Sequence, residues 1–170
     1  EAAYIGENVD LGGSRVVLDP RTLGKMLDYL NIQNDELVLD VGVGLGYSAA
    51  LISRLSEAVV AVEDDPERIA EAEETLGRVG ADNVVLHNGA LTEGAAQHGP
   101  YDVIILQGAV EQMPDKILEQ LKDGGRIACI FSEGALGIVK IGHKLKGKIN
   151  WRFAFNAAAP ILTGFERHKA

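Results

Sequence analysis

The sequence predicts an α/β fold built on one seven-stranded, mostly parallel sheet that ends in an antiparallel hairpin. Three observations predict it. Short apolar runs of strand length alternate with helical stretches, the rhythm of parallel strands joined by right-handed helical crossovers. Two helix starts carry one signature, Asp19-Pro20 and Asp65-Pro66, with Asp as N-cap and Pro at the first helical position. The rhythm then breaks: residues 135–145 and 148–156 read as two strands joined around Lys146-Gly147. No helix separates them, so they pair antiparallel.

In chain order, Leu23, Met26, Leu27 and Leu30 fall at helical spacing and make one apolar stripe after Pro20. Leu37-Val38-Leu39-Asp40-Val41 is a buried strand, followed by Gly42-Val43-Gly44-Leu45-Gly46 and a small-residue helix from Tyr47 to about Leu55. Ala58 to Val62 is the second strand, ending in Glu63-Asp64-Asp65. The next helix presents Ile69, Ala72, Leu76 and Val79, and Gly80 ends it. Asn83–Leu86 and Tyr101–Leu106 are the third and fourth strands. Pro114 opens a short helix carrying Ile117, Leu118 and Leu121, closed by Gly124-Gly125, and Arg126–Phe131 is the fifth strand.

At 170 residues the chain has the length of a single domain, spanning 1–170, and it can bury a core without metal or disulfide. Sixteen Lys and Arg against 25 Asp and Glu give a net charge of −9. That is the wrong sign for a protein that neutralises phosphates, so no nucleic-acid partner is expected. The basic cluster of Lys140, His143, Lys144, Lys146 and Lys148 suits a solvated hairpin face. No apolar run approaches the ~20 residues of a membrane helix. The single cysteine, Cys129, lies in an apolar run and excludes an internal disulfide, so a reducing cytoplasm is the expected compartment. The four histidines lack metal-ligand spacing, and no metal is expected.

In a parallel sheet of this kind the ligand sits beyond the carboxyl ends of the strands, where strand order reverses. Gly42, Gly44 and Gly46 follow the first strand and remove side chains where backbone must approach a ligand. Glu63 ends the second strand, where a carboxylate can accept hydrogen bonds from the hydroxyls of a ribose. Dinucleotide loops read G-x-G-x-x-G; here the order is G-x-G-x-G, and Tyr47 takes the place of the third glycine. Asp40, just ahead of the loop, would repel a pyrophosphate and attract an ammonium or sulfonium. The pattern therefore favours S-adenosyl-L-methionine over NAD. Gly46-Tyr47-Ser48 also has the outline of a nucleophile elbow, and His143 and His168 follow it in hydrolase order. A hydrolase leaves the glycine loop and Glu63 unexplained.

Leu39-Asp40-Val41-Gly42-Val43-Gly44-Leu45-Gly46-Tyr47 followed by Val62-Glu63 resembles the class I methyltransferases. More narrowly, the chain resembles the protein-L-isoaspartate O-methyltransferases. The likeness runs through Ala3-Tyr4, Pro20, Ala49-Ala50, Asn83-Val84, Gly94, Pro100-Tyr101-Asp102 and the run from Leu118 to Arg126. It implies a Rossmann-like sheet, a further N-terminal segment ahead of Glu1, and methyl transfer from S-adenosyl-L-methionine to an isoaspartyl-type carboxylate of damaged protein or peptide. It implies a cofactor site of Asp40, Gly42, Gly44, Gly46, Tyr47, Glu63, Asp64, Gly89, Ala90, Leu91 and Gln107.

Three positions depart from the family pattern. The Ser of the methyl-transfer site falls on Leu18, the Asp after the N-terminal tyrosine on Gly6, and the Asp that meets the adenine amino group on Ala90. Ser14, Arg15 and Gln107 are the candidate polar groups near the reacting atoms, beside the Leu18 position. Arg15 could pair with a substrate carboxylate or simply lie at the surface; Gln107 ends the fourth strand and faces the ligand crevice. Two outcomes stay open: a methyltransferase acting on carboxylates, or a cofactor-binding paralogue with another acceptor or no catalysis.

Overall fold

The structure is a computed structural model that describes residues 8–13, 15–134 and 136–167. Two short strands open it, β1 (Val9–Gly12) and β2 (Arg15–Val17), forming a separate antiparallel pair outside the main sheet. α1 (Pro20–Leu30) follows, with the Asp19 carboxylate accepting from the Arg21 N–H. Then come β3 (Leu37–Val41), α2 (Tyr47–Ser53), β4 (Ala58–Glu63), α3 (Pro66–Val79) and β5 (Val84–Asn88). Asp65 caps α3 by accepting from Glu67 N–H, and Gly80 ends it in the left-handed region. β6 (Tyr101–Val110), α4 (Asp115–Leu118), β7 (Leu121–Glu133), β8 (Leu136–Leu145) and β9 (Lys148–Asn156) complete the order.

The main sheet has seven strands in the order β5-β4-β3-β6-β7-β8-β9. β3 pairs parallel with β4 and β6, and the last two pairings are antiparallel. The expected α/β architecture is therefore present, hairpin included; residue 135, its expected first position, lies outside the described residues. Because side chains alternate along a strand, the sheet separates two apolar layers. Val38, Val59 and Ile105 pack with Met26, Leu30, Ile52 and Leu76 of the helices on one face. Leu39, Val41 and Val60 pack with Leu91, Ile117, Leu121 and Phe165 on the other. Cys129 is fully buried in that second layer, where burial pushes its thiol pKa up.

Several boundaries differ from the sequence reading: β5 is Val84–Asn88 rather than 83–86, and β7 starts at Leu121 rather than Arg126, so Gly124-Gly125 lies within a strand. β6 runs beyond Leu106 to Val110, because Ala109 and Val110 pair with Ile130 and Phe131 of β7. The segment after β9 folds back on it: the Ala109 N–H donates to Pro160 O at 2.9 Å and the Leu162 N–H to Ala109 O at 2.8 Å. α4 is a single turn, and Leu121 belongs to β7, paired with Tyr101. Lys144 Nζ donates to the Leu118 and Leu121 carbonyls there, so one lysine of the basic cluster anchors this corner. His143, Lys146 and Lys148 are exposed, as a solvated face requires.

Candidate functional site

The chain turns outward from β3 to β4 and β5, then crosses back to place β6 on the other side of β3. This reversal opens a crevice at the carboxyl ends of β3, β4 and β6, where open α/β sheets hold ligands. The glycine loop lies in it. Gly44 has φ +58° and Gly46 has φ +93°, both in the left-handed region that favours glycine. A Cβ on Gly44 would stand 2.9 Å from Leu11 Cδ1, and one on Gly46 would stand 3.1 Å from the Cα of Ala72 in α3. The loop is stitched to β4: the Gly42 N–H donates to Val62 O at 2.8 Å and the Gly44 N–H to Glu63 Oε1 at 2.8 Å.

Glu63 is fully buried at the end of β4. Besides Gly44, the Asp64 and Asp65 N–H groups donate to its Oε2. Its other partner is Arg15, whose Nη2 and Nη1 donate to Oε1 at 2.6 Å and Oε2 at 3.0 Å. Arg15 is only 3% exposed, so the surface expectation for it fails. It is not a surface residue, and its guanidinium faces Glu63 because a buried carboxylate needs a counter-ion. Burial pushes the Glu63 carboxyl up, but the Arg15 hydrogen bonds and charge outweigh it and hold the pKa below the ordinary value. Asp64 moves the other way, raised by burial and by the neighbouring Glu63.

Asp40 sits under the loop and is also fully buried. Ser48 Oγ donates to its Oδ2 at 2.6 Å and Gln107 Nε2 to its Oδ1 at 2.8 Å. Burial raises its carboxyl to about 6, although both hydrogen bonds pull the other way. Both oxygens are therefore taken by neutral donors, and Asp40 reaches the crevice only through Ser48 and Gln107. It is a positioning residue rather than an open anion.

A cavity of about 190 Å³ lies above those two side chains, lined also by Val16, Val17, Leu18, Leu23, Gly42, Val43 and the ring of half-exposed Tyr47. Leu18 and Gln107 both line it. Ser14 and Gly6 lie outside the described residues. Gly89 stands beside the glycine loop's partner, its N–H donating to Glu63 O at 3.1 Å, and Ala90 is exposed. Leu91 is 2% exposed and its side chain packs in the core layer with Tyr101 and Phe165, so only its backbone is left to face a ligand. Leu162 was missed by sequence reading; its Cδ2 lies 3.5 Å from where a Cβ on Gly42 would stand. The hydrolase outline fails: Ser48 is bonded to a carboxylate with no imidazole among its partners, and His168 lies outside the described residues. Among the described residues no three His, Cys, Asp or Glu side chains gather to hold a metal, and no helix is long and apolar enough to cross a membrane.

Comparison with known proteins bears on this crevice. The family model described as protein-L-isoaspartate(D-aspartate) O-methyltransferase matches residues 1–152. A protein-L-isoaspartate O-methyltransferase of Fervidobacterium nodosum is 30% identical over 152 residues, covering 88% of this chain and 76% of that protein. One of Myxococcus xanthus is 36% identical over 127 residues, covering 75% of this chain and 60% of its own length. Several such relatives are thus spanned for little more than half their length. A solved protein-L-isoaspartate O-methyltransferase superposes with a TM-score of 0.83 at 23% identity, covering 92% of this chain and 52% of that one. A Plasmodium falciparum structure assigned to the same activity, in complex with S-adenosyl-L-homocysteine, gives 0.77 at 18% identity, covering 95% and 85%.

Proposed function

The chain belongs to the protein-L-isoaspartate(D-aspartate) O-methyltransferase family, and on that premise we propose that residues 1–170 act as one S-adenosyl-L-methionine-dependent methyltransferase domain. The observation that carries the reading is the Glu63 carboxylate, fixed at the end of β4 and tied to the glycine loop through Gly44 at 2.8 Å. A carboxylate so placed suits the hydroxyls of a ribose, and glycines at 42, 44 and 46 leave backbone bare beside it. Asp64 and Gly89 flank that carboxylate. When bound, S-adenosyl-L-methionine supplies an electrophilic methyl on a sulfonium. Gln107, with its amide fixed by Asp40, and Tyr47 would border the transferring group. A carboxylate acceptor is already ionised at neutral pH, so the residues need only orient it and exclude water; no general base is required. An isoaspartyl-type carboxylate of protein or peptide, met in a reducing cytoplasm, is the acceptor class.

A second reading has its own observation. Leu18 is 3% exposed and lines the cavity where a hydroxyl would orient the acceptor. Among the described residues lining that cavity none is a cation. An anionic acceptor gains little there, which supports slow transfer to isoaspartyl groups, a different acceptor, or cofactor binding without catalysis. Labelled-methyl transfer to an isoaspartyl peptide, followed by mass spectrometry, separates them. Slow or absent turnover with retained cofactor binding supports the second reading, and rapid turnover removes it.

A further inference from the structure

Arg15 stands where a nucleoside's ribose would have to be accepted. Its guanidinium covers both oxygens of Glu63, and Nη2 lies 3.4 Å from the position of a Cβ on Gly42. Resting on the cofactor reading above, we propose that Arg15 sets the affinity of this crevice: its guanidinium and the ribose hydroxyls compete for Glu63, and Asp64 receives the guanidinium when the cofactor binds.

Four features make this exchange possible. The guanidinium has a destination, because Nη1 is already 3.3 Å from Asp64 Oδ1. The Asp64 side chain is 35% exposed and opens on a hollow of about 450 Å³ that Arg15 itself lines. Glu63 is not stranded by the move. The N–H groups of Gly44, Asp64 and Asp65 stay on it, and Arg68 Nη1 stands 3.7 Å away as a second counter-ion. The closed arrangement is itself incomplete, since Arg15 Nε is buried with no partner among the described residues, and an unsatisfied buried donor disfavours the state that holds it. Finally, the exchange is one of side chains: Arg15 is carried by β2, a three-residue strand outside the seven-stranded sheet, and its backbone can stay in place while the guanidinium turns from Glu63 to Asp64.

A ligand that must wait for a minor, open state has its apparent affinity lowered by the population of that state. Removing the competitor restores the difference. Calorimetry with S-adenosyl-L-homocysteine is the test, on the wild type, Arg15→Gln, Asp64→Asn and the double variant, after circular dichroism has checked each fold. Arg15→Gln is expected to bind about 10-fold more tightly than wild type. Asp64→Asn is expected to weaken binding in the wild-type background, where the guanidinium loses its destination, and to have no effect beside Arg15→Gln. Equal or weaker binding by Arg15→Gln overturns the competition. So does an Asp64→Asn effect of the same size in both backgrounds, which would mean direct ligand contact. Absence of binding by every variant and the wild type would instead remove the cofactor reading, and the competition with it. If Arg15→Gln does not fold, a crystal structure of the wild type with S-adenosyl-L-homocysteine decides. A guanidinium moved from Glu63 to Asp64 supports the proposal, and a retained Arg15–Glu63 pair overturns it.

Discussion

Asp40→Asn should make the protein more stable at neutral pH, and by an amount that depends on pH in a defined way. Burial raises the Asp40 carboxyl to about 6, against about 3.9 for an unfolded aspartate. Between those values the folded state holds a proton that the unfolded state has released. Stability therefore falls as pH rises through this window, by about 1.4 kcal/mol per unit, and is flat above it. The total is about 3 kcal/mol. Asparagine fits the same contacts: its oxygen can accept from Gln107 Nε2 and its amide can donate to Ser48 Oγ, replacing the bonds at 2.8 and 2.6 Å. It carries no charge to desolvate. Urea unfolding of both proteins from pH 4 to pH 8 is the assay. Their stabilities should converge near pH 4, and Asp40→Asn should lead by about 3 kcal/mol at pH 8. Other titrating groups shift both curves alike, so the difference isolates Asp40. A difference that stays constant across the range would refute the reasoning, because the carboxyl would then titrate alike in the folded and unfolded states.

Glu63→Ala should cost about 1–3 kcal/mol of stability, as read by denaturant unfolding, because it removes the acceptor of the Gly44, Asp64 and Asp65 N–H groups and leaves Arg15 only its contact with Asp64; a cost near zero would mean these groups are solvated. Gly46→Ala should lose about 2–4 kcal/mol, combining a left-handed φ of +93° with crowding against Ala72, as read by the same method. Gly44→Val should destabilise the loop against Leu11 and weaken binding of S-adenosyl-L-homocysteine, measured by calorimetry. Leu18→Ser should raise turnover on an isoaspartyl peptide if the missing hydroxyl is the defect, since misorientation of ~1 Å can cost about 100-fold in rate. If the cofactor pocket is the defect instead, Ala90→Asp should tighten S-adenosyl-L-homocysteine while Leu18→Ser leaves turnover unchanged.

The central βαβ units were legible in the sequence because their signals are local. Asp-Pro helix starts, a Gly80 stop and continuous apolar runs placed α1, β3, β4 and α3 within a residue or so of their observed bounds. The glycine loop and Glu63 were legible for the same reason, since both adjoin strands that announce themselves. What escaped depends on partners far apart in the chain. Arg15 lies 48 positions from Glu63, and nothing in Gly12-Gly13 or Val16-Val17 says which carboxylate the arginine will meet. One signal was there: Glu63 closes an apolar run, so a buried acid needing a cation could have been expected. The β1–β2 pair was missed because strands this short and glycine-flanked show no period. The return of Leu162 onto β6 was missed because backbone hydrogen bonds carry it, and the burial of the Leu91 side chain was missed because a motif position says nothing of which way its side chain turns. The hydrogen bonds of Asp40 escaped for the same reason, since its donors Ser48 and Gln107 are 8 and 67 positions away.

The account's central claim is that the crevice between Gly42–Gly46 and Glu63 takes a nucleoside cofactor of the S-adenosyl type. Calorimetric titration of the wild type and Glu63→Gln with S-adenosyl-L-homocysteine and with NAD tests it most directly. The wild type is expected to bind S-adenosyl-L-homocysteine more tightly than NAD, and Glu63→Gln to lose about 10- to 100-fold in affinity, the worth of ~1.5–3 kcal/mol of charged hydrogen bonding. Tighter binding of NAD, or an affinity for S-adenosyl-L-homocysteine indifferent to Glu63→Gln, would contradict it.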